Sequence, residues 1–536
     1  MTNRWLEQLI NPFRFKGRVD KIVFGLFIFI NLVVGINAHL HNRHSLYDGH
    51  GHLAYVKALV QEGRLPTAEQ THMFYTAPFP YILPAAIQSL FSLKYKKLAK
   101  IGQYINCLLA FFAIYFFVKL LRKINPSNLF VCRAALFLLA ITPVFYKTFA
   151  MGIRGEPYLL LCSILLAYGL ANIASIDNRE TWRYAVVGIL LGVLLLSKQT
   201  GMVFGAPVLI FATFQLKQSK RPAVLLQKWI IALALMIVCC GWFYAIQHIR
   251  YDTFLPFNQK PAQTALNFEK YVTDHADLAK AFSAQNKEME IAKWGEWHYE
   301  EYGRREDRDI ERKSWITYHN AGFYLGTGNG KFFKSPVRDN FPSQFFPIFY
   351  SDYWGDYWGY FLWPHPFNYW KEDHLEAEEK SSYKRIATIS YLGQVNIASI
   401  APTMVIIFGL AFTFYCLFEK QRWQFGSLVQ QMRLFMLVLI VLSVLSYMMF
   451  VVRYPGGHGS SIKASYLVHL TPFLSVLAAQ SIGRVLMNRK KLLNSLVILL
   501  IVVGIHNGGV LITGISEKMI SEREFISRLD IPHEYQ

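Results

Sequence analysis

Three short stretches gather residue types that could carry out a group transfer. The first is Tyr47-Asp48-Gly49-His50-Gly51-His52, followed at a distance by Gly63-Arg64-Leu65-Pro66 and by Tyr75-Thr76-Ala77-Pro78-Phe79-Pro80-Tyr81. Asp48 lies between a long apolar run and an amphipathic stretch. A carboxylate there suits a general base at a bilayer surface; it equally suits a cap for a helix beginning near Gly51. The second stretch is Arg154-Gly155-Glu156-Pro157. An acid ahead of a first-turn proline makes a good helix start. The Arg154 guanidinium at the mouth of two apolar runs suits phosphate. The third is Ser197-Lys198-Gln199-Thr200-Gly201, where Lys198 interrupts more than thirty largely apolar residues. A lysine at mid-membrane costs roughly 2.5–3.5 kcal/mol on insertion scales, so it either snorkels to an interface or faces an anion.

Two later stretches add candidates. Arg453 and Lys463 bracket Tyr454-Pro455-Gly456-Gly457-His458-Gly459, and Tyr466 follows. Residues 341–363 are rich in Phe, Tyr and Trp and include Asp352, Trp354, Asp356 and Trp358. Aromatic faces beside carboxylates suit sugar or acceptor recognition; Trp and Tyr also gather at membrane interfaces for ordinary reasons. Gly326 to Lys331 fails as a P-loop, because Leu325 stands at the first glycine and Phe332 follows the lysine. All six cysteines lie in apolar runs without zinc spacing and read as packing residues. Asp48, His50 and His52 could form an incidental metal site.

Such groups need a scaffold, and composition says which kind. The chain has 536 residues, of which 53% are hydrophobic and 16% aromatic, with a mean hydropathy of +0.24. The formal charge of +20 invites a nucleic-acid partner. A soluble surface, however, needs more charge than a chain this apolar supplies. The composition predicts an all-α polytopic membrane protein with no nucleic-acid partner, and argues against a disordered chain, a disulfide scaffold or a soluble enzyme.

Hydropathy predicts about eleven spans (10–13), near 22–40, 102–121, 129–150, 157–175, 184–198, 200–216, 229–248, 395–418, 434–452, 464–484 and 492–514. Pro78 to Leu93 is short and carries Pro80 and Pro84, so it reads as an amphipathic interfacial helix. Three regions follow: a module at 1–248 with its first outer loop at 41–100, an outer segment at 249–394, and a second membrane module at 395–536. Basic residues cluster in the amino-terminal arm and alternate loops, which puts the amino terminus in the cytoplasm. Residues 250–394 hold 18 Lys/Arg and 21 Asp/Glu, so the positive excess lies elsewhere. Lys94, Lys96, Lys97 and Lys100 resist the pattern by falling on the outer side. The amino terminus has no cleavable signal pattern, and no Asn-x-Ser/Thr acceptor occurs with x other than proline, which leans toward a bacterial inner membrane.

The order of these motifs resembles the GT-C glycosyltransferases, and within them the branch of protein O-mannosyltransferases and lipid A aminoarabinose transferases. The resemblance covers about residues 20–215 and rests on Asp48, the 63–66 and 75–81 segments, Arg154-Gly155-Glu156-Pro157 and Lys198-Gln199-Thr200-Gly201, with a looser match at Lys463-Ala464-Ser465-Tyr466. Many relatives carry Asp-Glu at the first acid, where this chain has Asp48-Gly49. The resemblance implies sugar transfer from a polyprenyl-phosphate donor to a glycan, lipid or protein hydroxyl on the periplasmic face, with inversion and without a cofactor. Asp48 would be the base, with His52, Glu156 and Tyr75 supporting the acceptor side. Arg154, Lys198, Arg453, Lys463 and Tyr466 would hold the donor phosphate. An oligosaccharyltransferase or glycan ligase with a larger lipid-linked donor, and a lipid-glycan transporter, are the competing readings.

Overall fold

A computed structural model describes residues 10–15, 18–41, 49–174, 180–257, 321–326, 330–334, 336, 344–358, 389–418, 427–453 and 461–512. Asp48, the 454–460 loop, and the charged stretch from 287 to 313 lie outside the described residues.

The described residues are all helical or loop apart from a two-residue antiparallel pair, β1 (Arg14–Phe15) with β2 (Arg18–Val19). The amino-terminal half holds α1 (Lys21–Leu40), α2 (Gly49–Glu62), α3 (Phe79–Phe91), α4 (Tyr95–Ile124), α5 (Leu129–Ala140), α6 (Pro143–Ala150), α7 (Gly155–Ile173) and α8 (Thr181–Ser197). A 3-10 turn at Gln199–Phe204 leads into α9 (Gly205–Gln218), and α10 is Pro222–Tyr251. From the outer segment come α11 (Ala321–Leu325), α12 (Lys331–Lys334) and α13 (Phe345–Trp354). The second membrane module holds α14 (Ile389–Ala398), α15 (Ile400–Phe418), α16 (Leu428–Arg453), a 3-10 segment at Ala464–Leu470, α17 (Thr471–Leu486), α18 (Lys490–His506) and α19 (Gly508–Leu511).

Every predicted span position carries a helix. Among the described residues, eight helices are long and apolar enough to cross a membrane, or nine with α5 and α6 taken as one broken span. The two remaining positions hold 17-residue helices, α8 and α18. The α5–α6 break is a 59° bend. Pro143 opens α6 at the bend, where its missing N–H and ring would otherwise disrupt a continuous helix. The predicted interfacial helix is α3. Pro80, Tyr81 and Pro84 are buried, while Ile82, Leu83, Leu90 and Phe91 on its other side are exposed.

One buried apolar core draws on both membrane modules, including Phe117 of α4, Phe149 of α6, Leu160 of α7, Phe435 of α16 and Phe473 of α17. Small residues let the helices approach. A Cβ on Gly188 of α8 would strike the Ala232 carbonyl of α10, and one on Gly409 of α15 would strike the Ala478 backbone of α17.

The two ends of the bundle differ. At one end Asp20 caps α1 through Val23 N (2.9 Å) and pairs with Arg133 of α5, while Arg433 of α16 donates to Gln480 of α17 at 2.7 Å. At the other end lie the carboxyl end of α1, α2, α3 and the start of α7. Lys100 accounts for part of the anomalous lysine cluster. Its ammonium donates to the carbonyls of Ala38 (2.5 Å), His39 (2.9 Å) and His41 (2.8 Å), satisfying the last carbonyls of α1.

The α8–α10 contact provides a check on the packing. Gly188→Val should lower the melting temperature of the purified protein, at a cost of about 1–3 kcal/mol for overpacking, read by thermal unfolding in detergent.

Candidate active site

The site is assembled at the end where α7 begins. Gln103 and Asn106 lie one turn apart on α4. Gln103 donates to the Ala150 carbonyl at 2.8 Å, and Asn106 to those of Met151 and of Gly152, the latter at 2.9 Å. These amides hold the turn between α6 and α7 that presents Arg154. Arg154 is extended, and α7 starts at the next residue. Gly155 must be glycine for a local reason: a Cβ there would stand 2.5 Å from the Ser197 carbonyl. The end of α8 therefore comes against the start of α7, and Lys198 arrives beside Glu156.

The resulting cluster is buried and charged. Glu156 is 2% exposed and Arg154 3%. Arg154 Nη2 is 3.0 Å from Glu156 Oε1, and its Nε 3.2 Å from Oε2. Lys198 Nζ donates to Glu156 Oε1 at 2.7 Å. The same ammonium lies 4.0 Å from the centroid of the Tyr466 ring, and Lys463 Nζ lies 5.9 Å from that ring. Arg154 and Lys198 thus share Glu156 while Lys198 and Lys463 share the Tyr466 ring, a set of three cations and one carboxylate with a formal excess of +2. Lys198 ends α8 in extended backbone before the 3-10 turn. It neither snorkels freely nor stands alone in the bilayer; it turns inward onto Glu156 and Tyr466.

A second group of side chains lies next to it. His52 Nδ1 is 2.6 Å from the Tyr81 hydroxyl, which is also 2.9 Å from Thr76 Oγ1. Tyr55 stacks on Tyr81 with ring centroids 3.9 Å apart, and its hydroxyl donates to the Thr76 carbonyl at 3.2 Å. Burial pushes the Tyr55 hydroxyl pKa well up, so it stays protonated and acts as a donor. The two groups are joined by Gln199, whose amide donates to the Tyr75 carbonyl at 2.8 Å. Tyr75 packs edge-on to Phe257, Phe257 to Phe450, and Phe450 to Tyr466. His52, Tyr75, Arg154, Glu156, Lys198, Lys463 and Tyr466 are thereby brought to one region. Arg453 is exposed at the end of α16, one turn beyond Phe450.

The aromatic outer segment sits deeper than sugar recognition would suggest. Asp352, Trp354, Asp356 and Trp358 are all buried. Asp352 pairs with Lys147 at 3.3 Å and accepts from Ala464 N at 2.6 Å. Trp358 donates to the Ile462 carbonyl at 3.0 Å. The sequence reading passed over Lys147 because it falls inside a run counted as one span. A lysine four residues after Pro143 was the available signal. Gln103 and Asn106 were also passed over, and Tyr81 and Gln199 stood in the motifs without a role; each has a partner distant in sequence. No group of three or more His, Cys, Asp or Glu capable of holding a metal occurs among the described residues.

Residues 77–242 match the family described as Dolichyl-phosphate-mannose-protein mannosyltransferase. That stretch is therefore similar to a family of glycosyltransferases that use a lipid-phosphate sugar. The matched stretch is under a third of the chain and includes Arg154, Glu156 and Lys198. Two solved structures of ArnT from Cupriavidus metallidurans are similar to the chain. The apo form shares 13% identity, covering 78% of this chain and 76% of that one, with a TM-score of 0.32. The form bound to undecaprenyl phosphate shares 10% identity with the same coverage and a TM-score of 0.33. At TM-scores this low neither superposition assigns a site. No curated protein matches the chain.

Removing the central carboxylate tests the cluster. Glu156→Ala leaves the buried Arg154 and the half-buried Lys198 without their counter-ion and should destabilise the protein by about 3 kcal/mol. Thermal unfolding should show the loss, with Glu156→Gln less affected because it keeps an acceptor for both donors.

Proposed function

We propose that this chain is a GT-C glycosyltransferase that moves a sugar from a polyprenyl-phosphate donor to a hydroxyl acceptor. The observation that carries this reading is the convergence of Arg154, Lys198 and Lys463 on Glu156 and Tyr466. A cationic cluster beside long apolar helices suits a phosphate that remains attached to a lipid. Arg154 offers a planar fork and the two lysines offer mobile point charges. Arg453, at the exposed end of α16, is placed to add charge from the loop side.

The chemistry follows from the leaving group. Phosphate departs without a protonating acid when fixed cations stabilise its developing charge. The reaction then needs a base for the acceptor hydroxyl and, on this reading, no metal. Asp48 immediately precedes α2 in the sequence and is the proposed base. His52, one turn along α2, would support the acceptor side through its contact with Tyr81. A single displacement of this kind inverts the anomeric centre. The burial and pairing of Asp352 favour a structural over a sugar-binding role for that residue.

The same reading sets the orientation. Arg122, Arg133, Arg183, Lys217 and Arg433 belong to the bundle end opposite the site. By the positive-inside rule that end faces the cytoplasm, and the cluster faces the periplasm of a bacterial inner membrane.

Sugar transfer from a synthetic polyprenyl-phosphate sugar, measured with purified protein in liposomes, is the direct test. Lys198→Met should lower kcat/KM by about 10²–10³-fold, and Asp48→Asn should lower kcat by about 10²–10⁴-fold. Full turnover by the Asp48 variant would remove that residue as the base. Transfer only from a lipid-linked oligosaccharide would replace the monosaccharide donor, and movement of the lipid across the bilayer without transfer would refute the enzyme mechanism.

A further inference from the structure

A second buried ion pair lies apart from the cationic cluster. Lys147 and Asp352 are each about 2% exposed. Lys147 comes from α6, the helix after the bend, and Asp352 from α13 in the outer segment. Lys147 Nζ donates to the backbone carbonyl of Asp352 and to that of Gly355 (2.6 Å), and is 3.3 Å from Asp352 Oδ1. The three acceptors surround the ammonium, which is how a buried cation is kept tolerable.

What the carboxylate does with its second oxygen matters more. Asp352 Oδ2 accepts from Ala464 N at 2.6 Å. The two preceding residues are held as well. Trp358 Nε1 donates to the Ile462 carbonyl at 3.0 Å, and the Tyr447 hydroxyl accepts from Lys463 N at 2.7 Å. Three consecutive residues are therefore anchored just ahead of Tyr466. Two of the three anchors come from the outer segment. Lys463 and Tyr466 are the carboxyl-terminal contribution to the cationic cluster.

We infer that the Lys147–Asp352 pair is a positioning device for donor binding: it fastens the outer segment to the 462–464 backbone and so sets Lys463 and Tyr466 against Lys198. The pair acts through those two residues and touches no substrate. This rests on the phosphate-binding role proposed above. It gives the outer segment a task in donor binding, where the sequence suggested sugar or acceptor recognition.

The test uses the full chain in lipid nanodiscs with farnesyl phosphate as the probe. Asp352→Asn and Lys147→Gln should each raise the Kd about tenfold and speed amide exchange at residues 462–466. In a Lys463→Ala/Tyr466→Ala background the same substitutions should change the Kd no further, since their route to the phosphate has been removed. A general loss of structure would weaken binding equally in both backgrounds, and that result overturns the inference. So does unchanged exchange at 462–466. If the single variants do not fold, the paired Lys147→Gln/Asp352→Asn chain, which buries no lone charge, carries both measurements. Absence of farnesyl phosphate binding to the wild-type chain would refute the phosphate role itself, while the exchange comparison would still decide whether the pair positions 462–466.

Discussion

A carboxylate buried in an apolar bundle is tolerable only when cations surround it, and in this protein that constraint falls on Glu156. Its two oxygens are taken by Arg154 and Lys198. Each cation has to reach it from a different helix end, so the surrounding backbone is tightly specified. Gly155 removes the side chain that would keep α7 and α8 apart. Gln103 and Asn106 hold the turn that delivers Arg154. Lys198 breaks the helical path between α8 and α9, because a continuous helix would carry its ammonium away from the start of α7. The acid that neutralises the cluster also sets its geometry, leaving a positive excess directed at Tyr466.

The Lys147–Asp352 pair obeys the same constraint at a second place, and the two centres share the stretch from Ile462 to Tyr466. That stretch is where the two membrane modules and the outer segment meet. The charge of +20 is divided accordingly. Among the described residues, Arg122, Arg133, Arg183, Lys217 and Arg433 lie at the bundle end away from the site. Others are drawn into specific contacts near the site, as with Lys100 on the last carbonyls of α1 and Lys147 on the carbonyls of Asp352 and Gly355.

The helices were largely legible because their signal is local. About 20 apolar residues in a row predict a span whatever lies beside it, and each predicted position carries a helix. The interfacial α3 was legible from its length and prolines. The bend between α5 and α6 was not read, although Pro143 marks it, because hydropathy continues across the break. In the site, Arg154, Glu156 and Lys198 stood out as charges where the pattern called for apolar residues. The amides of Gln103, Asn106 and Gln199 did not, since such residues are unremarkable in sequence until their partners are known. Asp352 was noticed for its chemistry, but its pairing with Lys147 was not legible.

By itself, then, the sequence determined the class of molecule, the place and order of its long apolar helices, and the identity of several charges that had to be paired. Burying a charge is costly enough that its presence in an apolar run is informative without any structure. Which charge pairs with which was decided only by the fold. Glu156 lies 42 residues from Lys198 and Asp352 lies 205 from Lys147, and no local rule links positions so far apart. The pairing depends on which helix ends come together, and that is set by glycine contacts, a proline bend and a shared core.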